Sequence, residues 1–93
     1  MNVIANERMF SLKRKMLQIL HEESGQSKKA IREYLLGMIA ASNFSDTQPE
    51  EARRALDALA GDGYATHDYD ELHGIVWRIT DNGITATANL TTK

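Results

Sequence analysis

Cysteine is absent from this 93-residue chain. That excludes disulfides and any thiolate metal site, and it fits a reducing compartment. No apolar run approaches the length needed to cross a bilayer. The opening segment Met1–Arg8 has no basic leader followed by a long apolar stretch, so no signal peptide is expected. The expectation is a cytoplasmic protein with no membrane partner. Asn43-Phe44-Ser45 and Asn89-Leu90-Thr91 match the glycosylation triplet but carry no weight without export. Also missing are a P-loop, Gly-x-Ser-x-Gly, His-Glu-x-x-His and a dinucleotide fingerprint. The carboxylate pairs Glu22-Glu23, Glu50-Glu51 and Asp68/Asp70 sit in no setting that suggests a cleft. Neither catalysis nor a cofactor is expected.

What remains is an ordinary composition for one globular domain spanning 1–93, with 42% hydrophobic and 26% charged residues. The net charge of −2 hides an asymmetry. Up to Thr47, seven Lys/Arg face five acids; from Gln48 onward, four face eight. A DNA-binding surface draws much of its affinity from cations that displace counterions from phosphates. Any such stripe must therefore come from the first half.

Three helices are expected. Met9, Leu12, Met16, Ile19 and Leu20 recur near helical spacing, which predicts a helix from Glu7 to about Glu23, with Phe10 and Leu17 widening its apolar side. Lys13, Arg14 and Lys15 fall mostly outside that stripe and read as a solvated face. Ser24-Gly25-Gln26 is a stop. Ser27 is a candidate N-cap for a second helix, Lys28 to about Ala41, whose apolar positions are Ile31, Tyr34, Leu35, Met38 and Ile39. Tyr34 and Met38 therefore read as core, and Phe44 is expected to tuck back from the connecting loop. The third helix has the clearest start. Thr47 and Glu50 fit a capping box, Pro49 suits the first turn, and Ala52, Ala55, Leu56 and Leu59 form a buried stripe. Gly61 or Gly63 supplies the left-handed residue that ends it.

Two strand-like runs follow, Tyr64–His67 and Ile75–Thr80. The face carrying Trp77 and Ile79 is expected to rest on the helices, since leaving Trp77 in water would forgo on the order of 1.5–3 kcal/mol. The tail Ile84–Lys93 is open to three readings: a short helix capped at Thr80 or Asp81, an added strand, or a frayed end.

The phrase Leu59-Ala60-Gly61-Asp62-Gly63-Tyr64-Ala65, followed by Trp77-Arg78-Ile79-Thr80-Asp81-Asn82-Gly83, resembles the helix exit and last strand of the winged helix-turn-helix superfamily. The resemblance covers about residues 9 to 84. It implies an α+β fold of three helices with a two-stranded or three-stranded antiparallel wing. It also implies duplex DNA as partner, with the third helix in the major groove. Carried onto this chain, Gln48, Arg53 and Arg54 become the base readers. Thr47 and Ser45 become helix-start contacts, and Lys28, Lys29 and Arg32 phosphate contacts. The lack of an effector domain suggests action as a homodimer or with a protein partner.

Other readings stand beside this one. Glu50 precedes Arg53 and Arg54 by three and four residues, and Asp57 follows Arg53 by four, a spacing that also suits intrahelical ion pairs of about 0.2–0.5 kcal/mol each. The wing segment His67–Gly74 has three carboxylates and no Lys or Arg, so it should repel phosphate. That composition suits a protein-interaction module whose acidic wing meets a basic partner. His67 and His73 flank the wing; in a loop they read as solvated residues, so no metal site is expected.

Overall fold

The computed structural model describes residues 3–44 and 46–91. The element order is α1 (Val3–Ser24), β1 (Ile31–Arg32), α2 (Glu33–Asn43), α3 (Pro49–Gly61), β2 (Ala65–Asp70), β3 (Gly74–Ile79) and α4 (Asp81–Thr91). Among the described residues it is an α+β fold of four helices and one three-stranded antiparallel sheet in the order β1-β3-β2. The expected three helices become four because the tail forms α4. The Thr80 hydroxyl accepts the N–H of Gly83 at 3.0 Å, so the capped-helix reading of the tail is the one realised.

The core lies where α1, α2 and α3 meet one face of the sheet. Leu12, Met16, Leu20, Leu36, Leu56, Leu59, Trp77 and Ile79 are all essentially inaccessible. The small residues Ala52 and Ala55 let α3 lie close beneath its neighbours, and both are buried. α3 stops through Gly63, whose φ of +84° is open to glycine at no steric cost. The N–H groups of Gly63 and Tyr64 close on the carbonyls of Ala60 and Leu59 at 3.0 and 2.9 Å. The chain then enters β2 directly.

Two local expectations are corrected. The second helix begins at Glu33, not Lys28, and a strand precedes it: Ile31 pairs with Trp77 and Arg32 with Val76. Sequence periodicity cannot separate the two outcomes, because Ile31 suits both an apolar helix stripe and a β-branched sheet position. Pairing with β3 decides it. Lys28 and Lys29 accordingly sit in a turn, with Lys28 at φ +57°, and Ser27 caps nothing. The rotation of α2 also differs. Leu36 and Ala40 are buried and Leu35 and Ile39 flank them, while Tyr34 and Met38 are 75% and 52% exposed.

A buried serine fastens the turn that carries Lys28. The Ser24 hydroxyl donates to the Lys29 carbonyl at 2.6 Å and accepts the N–H of Ile79 at 3.2 Å. It thus joins the end of α1 to the approach to β1 and to the end of the central strand β3. In the first turn of α4, next to the same end of β3, Gly83 has no room for a side chain: a Cβ would fall onto the Tyr64 carbonyl and lie 2.7 Å from Ile79 Cγ1.

Gly83→Ala is expected to destabilise the fold by about 1–3 kcal/mol through overpacking. Ser24→Ala strands the Ile79 N–H and costs a similar amount, about 1–3 kcal/mol. Exposed Ser27→Ala changes stability by less than about 0.5 kcal/mol. Urea unfolding midpoints of the three variants check this order.

Candidate nucleic-acid interface

Lys28 lies against Asp81, and Lys29 and Arg32 border the hairpin, whereas Gln48, Arg53 and Arg54 stand with Glu33 at one corner, where the start of α2 meets the first half of α3. Three groups build it. The Glu33 carboxylate, at the first residue of α2, accepts the Trp77 indole N–H at 2.8 Å through Oε1. Its other oxygen faces Arg53 Nη1 at 3.5 Å. One carboxylate thereby ties β3, α2 and α3 together. Its place in the first turn also lets it face the positive end of the helix dipole.

The second group sets the start of α3. Arg8 of α1 makes a two-pronged fork to Glu51, with Nε to Oε2 at 2.6 Å and Nη2 to Oε1 at 3.0 Å. The same guanidinium lies 4.8 Å from the centre of the Phe44 ring, which is half-buried at the end of α2. Glu51 also accepts the backbone N–H of Gln48. Only the returning half of a capping box is present, and it is shifted by one residue: Gln48 is the N-cap without a side-chain cap bond, Pro49 follows, and Glu51 rather than Glu50 reaches back. Thr47 is buried instead, and its hydroxyl donates to the Phe44 carbonyl at 2.5 Å. That hydroxyl is thereby engaged within the connection before α3. Ser45, the other helix-start candidate, lies outside the described residues.

The third group is ionic. Of the five expected cations, Lys28 is engaged by Asp81 at 2.7 Å and lends its carbonyl to Arg78 at 3.4 Å. Arg53 faces Glu33 and, one turn along α3, Asp57 at 3.7 Å. Its Nε is buried without a hydrogen-bond partner among the described residues. The expected Glu50–Arg53 and Glu50–Arg54 pairs do not form there. Lys29, Arg32 and Arg54 remain exposed and make no ion pair among the described residues. Gln48, Pro49 and Glu50 are exposed beside Arg54. The surface is of mixed sign: Arg54 lies beside the unengaged Glu50, and Lys29 and Arg32 lie beside Asp70.

The hairpin is longer and more ordered than a loop running from His67 to Gly74. β2 continues to Asp70, and only Glu71–His73 form the turn. Asp70 organises that turn by accepting the N–H groups of Leu72 and His73 at 2.7 and 3.2 Å. The Leu72 N–H, and then His73, hold the Asp70 carboxyl below its ordinary value. His73 Nδ1 lies 3.4 Å from Asp70. His67 instead packs on Trp77, with ring centres 4.9 Å apart, so the two histidines serve different neighbours. Among the described residues no three His, Cys, Asp or Glu side chains gather as metal ligands. Asp70 and His73 border the same hollow as Lys29 and Arg32, which brings hairpin acid close to those cations.

An apolar trough lies next to this corner. Tyr34, Gly37, Met38 and Ala41 of α2 face Thr47, Pro49 and Ala52 across it. The expectation of a core role for Tyr34 and Met38 hid this feature. The Arg8–Glu51 fork was also missed, since no local pattern links residues 43 positions apart. No helix among the described residues is long and apolar enough to cross a membrane. Searches against protein families, curated proteins and solved structures find no match to this chain.

The fork gives a testable pH dependence. The hydrogen bond from Arg8 is the main cause that lowers the Glu51 carboxyl below its ordinary 4.5, with partial burial opposing it. The native carboxyl then binds its proton less readily than the unfolded chain does. The resulting stability is present above the ordinary carboxylate range and is lost as pH falls through the lowered native value. Glu51→Gln is therefore expected to unfold more readily than wild type at neutral pH. The gap should close progressively in acid, as followed by urea unfolding at a series of pH values.

Proposed function

We propose that this chain is a winged-helix protein that binds duplex DNA through α3, as a binding module and not an enzyme. The observation that carries the reading is the arrangement itself. A short strand precedes α2, α3 runs straight into a hairpin, and the first strand pairs with the last in the order β1-β3-β2. This arrangement leaves the outer side of α3 uncovered beside the start of α2. In this reading Gln48 and Arg54 meet base edges in the major groove, while Lys29 and Arg32 meet phosphates. Arg53, held by Glu33 and Asp57, orients α3 more than it reads sequence. Lys28 drops out, because Asp81 occupies it. Asp68, Asp70 and Glu71 weaken binding through repulsion, so affinity rests on the helices.

A second reading has its own support. Tyr and Met side chains with neighbouring Arg are the composition enriched at protein interfaces; Tyr34 and Met38 are exposed along the α2–α3 trough, and exposed Arg54 lines the hollow that adjoins it at Glu33 and Pro49. That surface suits a protein partner.

Titration of a labelled duplex pool at rising salt separates the two. DNA binding through Lys29 and Arg32 predicts that log affinity falls against log salt with a slope of at least about −1.8, and that Lys29→Ala or Arg32→Ala each removes about 0.9 from it. Arg54→Ala is expected to cost about 1–3 kcal/mol and relax sequence preference. The joint change Asp68→Asn with Glu71→Gln should tighten binding. Absence of duplex binding at about 50 mM salt would sink the DNA reading and leave the protein-partner one.

A further inference from the structure

We infer that the outer face of α1, together with α4, is a self-association surface that pairs two copies of this chain. Four consecutive outward positions of α1, Glu7, Phe10, Ser11 and Arg14, are all exposed. At 3.6 residues per turn they fall within an arc of about 100°. Phe10 is 61% exposed, although α1 buries its other large apolar side chains from Leu12 onward. Neither Glu7 nor Arg14 makes an ion pair among the described residues, in contrast to their neighbours Arg8 and Lys13, which are engaged by Glu51 and Asp62.

The stripe is complementary to itself. If two α1 helices lie antiparallel about a two-fold axis between Phe10 and Ser11, Glu7 of each copy stands opposite Arg14 of the other. Phe10 of each then stands opposite the small Ser11. A two-fold contact requires this property, since one patch must serve as both donor and acceptor. Reciprocal Glu–Arg pairs satisfy it and fix the register. In the parallel arrangement Glu7 would meet Glu7 and Arg14 would meet Arg14.

The neighbouring surface fits the same partner. Phe10 and Arg14 border a groove whose apolar walls include Leu17, Tyr64, Ala86 and Leu90, with the mutually paired Lys13 and Asp62 also along it. After Asp81, α4 carries no charged residue as far as Thr91, in a chain where about a quarter of residues are charged. Depletion of charge, with an aromatic at the centre, marks the covered part of an interface. Exposed Thr85, Ala88 and Asn89 are small or short enough to admit a second helix. In this register Glu7 to Arg14 overlap their counterparts over about 12 Å, so at about 10 Å helix width the α1 contact, with an equal length of α4 added, projects to roughly 250 Å². That lies below the standard of about 800 Å² per partner and implies a dimer that separates on dilution.

The inference does not depend on what α3 binds. It is tested without nucleic acid, by sedimentation equilibrium of the full chain over about 10–500 µM. The expected result is a mass rising from 10.4 kDa toward twice that value. Phe10→Ser, Glu7→Arg and Arg14→Glu should each hold the mass at the monomer value with an unchanged circular dichroism spectrum. The double change Glu7→Arg with Arg14→Glu re-creates both pairs in reverse and should restore the dimer. A wild-type mass that stays at 10.4 kDa, or a dimer indifferent to the single charge reversals, would overturn the proposal.

Discussion

The Glu33 carboxylate is the constraint on which the candidate site depends. A tryptophan with no solvent exposure must place its indole N–H on an acceptor, because a buried unpaired donor costs about 1–3 kcal/mol. Glu33 meets that need and in doing so fixes three things together: where α2 begins, how α2 is rotated, and which way Arg53 points. The exposure of Tyr34, one residue on, follows from the same rotation.

The Arg8–Glu51 fork does for the start of α3 what Glu33 does for its middle. Arg8 is held on one side by a carboxylate and on another by the Phe44 ring, so α1, the α2–α3 connection and α3 share one guanidinium. A planar fork is suited to this because it loses little freedom per hydrogen bond formed. With both restraints in place, ion pairing sorts the surface charges. Arg53 and Lys28 are engaged by nearby acids, whereas Lys29, Arg32 and Arg54 remain available. Which cation remains available is thus a property of the packed molecule.

Parts of the architecture were legible early. The third helix, its proline start, its alanine-leucine stripe and its glycine exit are local signals, and each depends on residues within a few positions of one another. The hairpin strands were legible for the same reason, through alternation ending at Asp81-Asn82-Gly83. The strand Ile31–Arg32 was not, because two residues carry no periodicity and its partner lies 46 positions away at Trp77. The N-cap of α3 was misplaced by one residue because Thr47 with Glu50 fits the capping pattern locally, while the structure starts the helix from Gln48. Only the burial of Thr47 and the reach of Glu51 toward both Arg8 and Gln48 distinguish them.

By itself the order of residues determined the elements with strong local punctuation, the acidic character of the hairpin, and the set of cations from which any anion-binding surface must draw. Those features depend on spacing and composition, which are present in the unfolded chain. Tertiary structure decided the start and rotation of α2, the exposure of Tyr34, Met38 and Phe10, and the division of cations into engaged and unengaged. Each of these depends on contacts between residues distant in the chain, where side-chain geometry and burial, not local pattern, set the energy.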